Sequence, residues 1–597
     1  MKNCLAFLNK HKMKLAMVLI LAISLCVMIY FGHQKEGYHV DELYSYGLAN
    51  SEYLPFMHFG VSGYDVKDWM NEYGAGESFV DLFSNLAKDF RILKENNFDF
   101  YSSEIYQAYR VAQANSADTY TTTWVPGQDY VDYLAVSESN TFNYASVYYN
   151  QRGDVHPPFF YMLLHTICSF FVGEFSKWFG LALNMLVLTL ALIVIYKMSS
   201  EYLCPKGPAI IIVIGYALSS GFMTTAMFIR MYALLTLMTL LCCYVHLKIY
   251  EADFRFTRKL GFALFFSVLG GYYTQYYFVL YAMVIAGIML LTMLAHKKYN
   301  AAVKYVLILG SSAVTGILIW PFSVKHVFSG YRGRASLSIL TGGNLSLYKA
   351  KIMFRNMVSQ MFGGYTVLLV ITLAVAVIIC FGLGKFLWKK QLPYAKVTLL
   401  VLPVLIYTCL VGQISPFLSE RYIMCTYPFW CIIFVCAIYY SVDFMCKNPV
   451  LQSEKWKKRV CKLEAVILFV IIGFWIGTAN YVVCEPGYIF TGGQEAYAVP
   501  EGTDCVFVIP TGSYNESAED TNILAQCDRV GVVYASNIEV LAEDYAYESG
   551  TYLLVEMIKH MDIEETLSEV KQVLNVSELR EINRSQGGNV VRILLGE

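Results

Sequence analysis

KWFGLALNMLVLTLALIVIYK, residues 177–197, carries a lysine at each end and no charge between them. An α-helix rises ~1.5 Å per residue, so a run of this length reaches across the ~30 Å hydrocarbon layer of a bilayer. Working outward, apolar runs recur at 13–31, 208–225, 231–249, 260–273, 276–295, 303–322, 365–386, 396–412, 422–442 and 463–483. With 56% hydrophobic residues, 15% charged ones and a mean hydropathy of +0.46 over 597 residues, the chain is too apolar for a soluble multidomain protein. Lys2, Lys10 and Lys12 precede the first run and Lys14 lies at its start; the run reads as an uncleaved anchor because no small-x-small cleavage site follows it.

The apolar segment 156–173 decides the orientation of everything after it. If it does not cross, the connections near 197–206, 248–259, 296–304, 385–396 and 444–462 share one side. They hold nearly all the short-loop Lys and Arg, such as Lys248, Arg255, Arg258 and Lys259, then Lys455, Lys457, Lys458 and Arg459. The opposite short loops hold only Lys177, Arg230 and Arg421. The positive-inside bias therefore predicts about eleven spans, a cytoplasmic N-terminus, and segment 156–173 as an interfacial or re-entrant helix. One outer connection runs against the bias: 323–360 carries Lys325, Arg332, Arg334, Lys349, Lys351 and Arg355.

The predicted fold is an α-helical polytopic membrane protein. Its transmembrane domain covers 1–483, with a first outer loop at 32–155 and a second at 323–360. Amphipathic helices are expected near 77–97 and 102–114. Residues 484–597 alternate strand-like runs at 505–510, 530–535, 551–556 and 590–595 with a helical run at 562–574, which predicts a small extracytoplasmic α/β domain. The net charge of −1 hides the segregation of the basic residues, and no nucleic-acid partner is expected. Most of the sixteen cysteines lie singly in apolar runs as small hydrophobes; Cys484, Cys505 and Cys527 lie outside them and leave one disulfide open, with no readable connectivity.

Five motifs emerge on the outer face of this topology. His39-Val40-Asp41-Glu42-Leu43-Tyr44 puts adjacent carboxylates just past the first span, where one can face a site while the other caps or braces it. Arg152-Gly153-Asp154-Val155-His156-Pro157-Pro158 leads into segment 156–173; Pro-Pro suits a helix start, whose free N–H groups favour anions. Phe228-Ile229-Arg230-Met231-Tyr232, Gly271-Tyr272-Tyr273-Thr274-Gln275-Tyr276-Tyr277-Phe278 and Ser419-Glu420-Arg421-Tyr422 complete the set. Each has an ordinary reading as a membrane boundary or aromatic belt, but an outer-face Arg opposes the charge bias and asks for an anionic ligand.

Taken in order, these residues resemble bacterial members of the GT-C superfamily, in particular glycosyltransferase family 39, the protein O-mannosyltransferase and lipid A aminoarabinose transferase relatives, over roughly residues 10–480. The resemblance implies a GT-C-like transmembrane catalytic domain that takes a sugar from a polyprenyl phosphate. It makes Asp41 the general base and Glu42 a supporting carboxylate. His156 stands where relatives often carry a basic residue, and with Arg152, Arg230 and Arg421 becomes a candidate contact to the donor phosphate. Tyr44, Tyr232, Tyr273, Gln275 and Tyr422 are the candidate substrate contacts within the same motifs. Many relatives have an acidic residue shortly after the Arg of the third motif; Met231-Tyr232-Ala233 has none.

The residue types suit this chemistry. Glycosyl transfer needs a base for the acceptor proton and positive charge for the departing phosphate. No phosphate-binding Gly-rich fingerprint appears, and no cofactor is indicated, although a divalent metal held by Asp41 or another loop carboxylate stays open. The expected partners are a polyprenyl-phosphate sugar donor, a glycan, lipid or protein acceptor, and membrane lipids. The rival readings are a transporter or flippase for a lipid-linked sugar, which would favour inverted repeats and charges mid-span, and a non-catalytic cell-envelope assembly protein.

Overall fold

Proline, glycine and capping residues punctuate the apolar runs, and a computed structural model shows where each break falls. It describes residues 2–52, 91, 94–95, 124–329, 331–341, 346–377, 394–415, 417–446, 459, 466, 470–477, 486–490, 498–510, 520–542, 545–587 and 590–597. The amphipathic helices expected near 77–97 and 102–114 lie outside the described residues apart from 91 and 94–95, and so does Cys484. The chain divides into two compact units: residues 1–33, 181–321 and 344–487, and residues 34–180, 322–343 and 488–597.

The first unit holds the long apolar helices. Among the described residues, seven helices are long and apolar enough to cross a membrane, or nine if each of two bent pairs is one span. Tyr232–Glu251 and Glu420–Asp443 are the inner ones, 78% and 89% buried within the protein, whereas Met13–Gln34 and Tyr299–Ile319 are only 22% buried and leave most of their apolar surface for lipid. Both bent pairs have a local cause. Lys206–Ala217 and Ser220–Met227 meet at 54° where the Ser219 hydroxyl accepts the Phe222 N–H at 3.1 Å and caps a new helix. Leu347–Phe362 and Thr366–Ala374 meet at 95° at Gly363 and Gly364, both at positive φ, which glycine adopts without a Cβ clash.

The second unit joins short helices to a sheet. Phe159–Cys168, the helix within the segment that decides orientation, has ten residues and a length of ~15 Å, half of what a crossing requires. The sheet has strands β1 (Val125–Pro126), β2 (Thr503–Ile509), β3 (Arg529–Tyr534), β4 (Tyr552–Ile558), β5 (Arg580–Gly587) and β6 (Val590–Gly596), in the order β1-β3-β2-β4-β6-β5. β3, β2 and β4 run parallel, with Val506 opposite Gly531 on one side and Val555 on the other. β2 is buried along its whole length, the condition under which a strand reads as a continuous apolar run instead of an alternation. β6 and β5 add an antiparallel edge. The helix Ile563–Val573 begins at Asp562, whose carboxylate accepts the Glu565 N–H at 3.2 Å. β1 comes from the first loop, with Val125 opposite Val530, so the sheet is not built from residues 484–597 alone. Cys505 and Cys527 are buried thiols in its core.

Candidate functional site

In the second unit, the helix Val40–Asn50 starts with a reciprocal cap. His39 Nδ1 accepts the Asp41 N–H at 3.1 Å, and the Glu42 carboxylate accepts the His39 N–H at 2.7 Å. The same Glu42 oxygen takes a hydrogen bond from Lys35 Nζ at 3.0 Å, and both side chains are fully buried. Lys35 also donates to the Tyr488 carbonyl at 2.6 Å and lies 5.1 Å from the Phe490 ring. Burial pulls the Lys35 amine below its usual range, while the Glu42 carboxylate opposes the shift. Glu42 is therefore a brace: its charge is spent on Lys35 and its second role is to close the helix. Asp41 keeps a partly open carboxylate, its side chain 22% exposed. It stands 3.6 Å from His39 Nδ1, the nitrogen that also accepts the Asp41 backbone N–H. Tyr44 follows three residues later, on the same helix face.

The helix is anchored by amides that read main chain. Asn50 Nδ2 donates to the Leu134 carbonyl at 2.7 Å, Asn140 Nδ2 to the Asn50 carbonyl at 2.7 Å, and Asn150 Nδ2 to the Ser51 carbonyl at 2.8 Å. Asn150 belongs to the helix Tyr144–Gly153, which ends beside the second motif. There His156 Nδ1 lies 2.7 Å from an Asp154 carboxylate oxygen, both side chains nearly buried. This contact fixes the imidazole and leaves Nε2 as its other face. Arg152 is exposed and stacks 4.7 Å from the Tyr149 ring. The first two motifs thus meet in one unit.

The other three motifs meet in the first unit. Arg230 is buried at a tight turn whose Phe228 carbonyl accepts from Asn184 Nδ2 at 2.7 Å. Tyr232 stacks on Phe228 with centroids 5.6 Å apart and presents its edge to Tyr422 at 6.4 Å. Tyr277 meets Tyr422 at 5.6 Å from a third side. Gln275 shapes this approach by accepting the Tyr277 N–H at 2.6 Å, which turns the chain into the helix Phe278–Ala295. The Arg421 guanidinium lies 5.2 Å from the Tyr422 ring, and the Tyr422 carbonyl accepts from Tyr407 at 2.9 Å. Tyr273 is directed elsewhere: its hydroxyl bonds the Gly316 carbonyl at 3.1 Å on a neighbouring helix.

Lys35 and Tyr277 are the residues that the motifs did not single out. Tyr277 was visible as one of several tyrosines in the fourth motif; nothing local marked Lys35, because its partner is selected by the fold. Among the described residues no three His, Cys, Asp or Glu side chains gather as a metal site.

No family model matches the chain, and no curated protein does. Among solved structures it is similar to the crystal structure of ArnT from Cupriavidus metallidurans bound to undecaprenyl phosphate, at 10% identity, over 74% of this chain and 87% of that one, with a TM-score of 0.41. A likeness of that size assigns no activity.

Proposed function

We propose that the chain transfers a glycosyl group from a polyprenyl-phosphate-linked sugar to an extracytoplasmic glycan, lipid or protein acceptor. The observation that carries this reading is the difference in burial at residues 41 and 42: the Glu42 side chain is fully buried on Lys35, whereas the Asp41 side chain is 22% exposed. In the proposed reaction Asp41 accepts the proton of the acceptor hydroxyl or amine as its lone pair bonds the anomeric carbon. The bond from that carbon to the phosphate oxygen breaks, and its electron pair leaves with the lipid phosphate. A phosphate is a good leaving group once its charge is balanced. His156, oriented by Asp154, is the candidate contact in the second unit together with Arg152; Arg230 and Arg421 are the candidates in the first. Tyr44, Tyr232 and Tyr422 offer ring faces and hydroxyls of the kind that hold sugars. Tyr273 has its hydroxyl committed to a helix backbone and acts on substrate only through packing.

The long apolar helices support a multi-pass membrane location, and the charge bias supports placing these motifs and the sheet outside the cytoplasm. The test is turnover of a panel of radiolabelled polyprenyl-phosphate sugars by purified wild-type protein and by Asp41→Asn. Loss of ~100-fold or more in the variant, with insertion intact, is the expected result for a missing general base. Equal turnover in the two proteins removes Asp41 from the chemistry.

A further inference from the structure

Seven residues other than glycine hold a positive φ among the described residues. Asp253, Phe254, Lys297 and Asn575 fall just past the helices that end at Glu251, Ala295 and Val573, where a left-handed residue is a common stop. Tyr488, at φ 65°, and Phe490, at φ 57°, close no helix among the described residues. A bulky side chain in that region is strained and persists only where the surroundings over-determine it. Here the surroundings are the residues that start the carboxylate helix.

Tyr488, Ile489 and Phe490 belong to the second unit, as does that helix. Their turn delivers two successive carbonyls to it. The Tyr488 carbonyl accepts from Lys35 Nζ at 2.6 Å, and the Ile489 carbonyl accepts the Glu36 N–H at 3.0 Å. Ile489 is buried, while Phe490 is exposed. The Tyr488 ring stands edge-on to the His39 ring, with centroids 5.8 Å apart, and lies 6.4 Å from the Phe490 ring. The Lys35 ammonium lies over the Phe490 ring at 5.1 Å and over the Tyr38 ring at 5.6 Å, positions that favour a cation. These contacts converge on Asp41. Lys35 holds Glu42, Glu42 accepts the His39 N–H, and His39 Nδ1 accepts the Asp41 N–H. By the ring route, only His39 separates Tyr488 from Asp41.

Glycine at position 488 would relieve the strain and still offer its carbonyl to Lys35, so the ring against His39 is what the strained conformation provides. We propose that Tyr488 is a positioning residue for the transfer: with Ile489 and Phe490 it forms a strap that acts through His39 and Lys35 to fix the Asp41 carboxylate. This rests on the reading of Asp41 as the base. The strap follows the last apolar run, so the chain beyond that run serves the base as well as the sheet.

The test uses the purified full-length protein in phosphatidylcholine nanodiscs and compares wild type with Tyr488→Gly, Tyr488→Asn and Tyr488→Phe. Glycine and asparagine accept a positive φ and remove the ring, whereas phenylalanine keeps it. Amide hydrogen exchange over residues 36–42, melting temperature and turnover of a polyprenyl-phosphate sugar are measured for each. In Tyr488→Gly the expected result is a melting temperature no lower than wild type, about tenfold faster exchange at the Asp41 and Glu42 amides, and a kcat about tenfold lower at unchanged KM. Tyr488→Phe should restore both exchange and kcat. A tyrosine that only packs gives another pattern: Tyr488→Gly melts lower, and turnover falls only with the folded fraction. That pattern overturns the proposal, as does faster exchange with unchanged kcat. If Tyr488→Gly does not fold, Tyr488→Asn decides; failure of both to fold makes the residue structural and overturns the proposal too. The two readings fail separately. Equal turnover by Asp41→Asn and wild type removes the base whatever the exchange shows, whereas unchanged exchange in Tyr488→Gly removes the strap with Asp41 still the base.

Discussion

Two groups of buried charge lie in the second unit, and they are balanced differently. At the carboxylate helix, one ammonium meets one carboxylate: Lys35 and Glu42, both fully buried, with Lys35 also donating to the Tyr488 carbonyl and Glu42 also accepting the His39 N–H. In the sheet, one guanidinium meets two carboxylates. Arg592 on β6 reaches Asp520 at 2.5 Å and stands 3.4 Å from Glu556 on β4, and all three are buried. Burial and then the Asp520 carboxylate push Glu556 well above the usual carboxylate range. The one-to-one pair can brace a neighbouring residue for chemistry at constant charge. The two-to-one cluster is pH-sensitive and belongs to the core of the sheet.

The largest expected effect breaks the second cluster. Arg592→Met leaves two buried acids with no cation and should cost about 3–5 kcal/mol, the range for removing one partner of a buried pair. Hydrogen exchange in β4 and β6 of the intact protein reads this loss directly; unchanged protection would mean that both acids simply become protonated at little cost. Breaking the first group comes next. Lys35→Met should cost about 3 kcal/mol, because Glu42 keeps its bond from the His39 N–H but loses its charge partner. Lys35→Met/Glu42→Gln should recover most of that, since the amide retains an acceptor for His39 without a buried charge. A double variant no more stable than the single one would show that the ion pair itself holds the helix.

The smallest effect sharpens the comparison through pH. A carboxyl group whose folded pKa is raised binds more protons folded than unfolded. Its stabilising contribution is therefore present below the unfolded carboxylate value of ~4.3 and fades as pH rises through the folded value. Protection of the sheet should fall as pH rises above that lower limit, and Glu556→Gln should remove this slope. The region around Val40–Asn50 should not share it. Parallel pH profiles for the two regions would erase the distinction between them.

Much of the architecture was legible locally. The runs at 231–249 and 422–442 fall on the helices Tyr232–Glu251 and Glu420–Asp443, and the expected strands at 505–510, 530–535, 551–556 and 590–595 fall on β2, β3, β4 and β6. β5, with the sequence REINRSQG, was missed because an edge strand with polar side chains has no hydrophobic pattern to read. The Asp41-Glu42 pair was visible, but which of the two is the brace was not: that depended on Lys35, whose ammonium gains a partner only once the chain turns back on itself. The meeting of Tyr232, Tyr277 and Tyr422 was equally invisible, since each lies on a different segment.

The sequence by itself determined the class of this protein, because burial in lipid is a sum over some twenty consecutive residues and each apolar run carries that sum on its own. It also marked the residues able to do chemistry, since carboxylates and guanidinia at the ends of apolar runs stand out by type. Only the tertiary structure decided which charges meet. Lys35 with Glu42 and Arg592 with Asp520 and Glu556 are products of chain return. The energy of a charge depends on neighbours within a few ångströms, and those neighbours are set by folding and not by sequence separation.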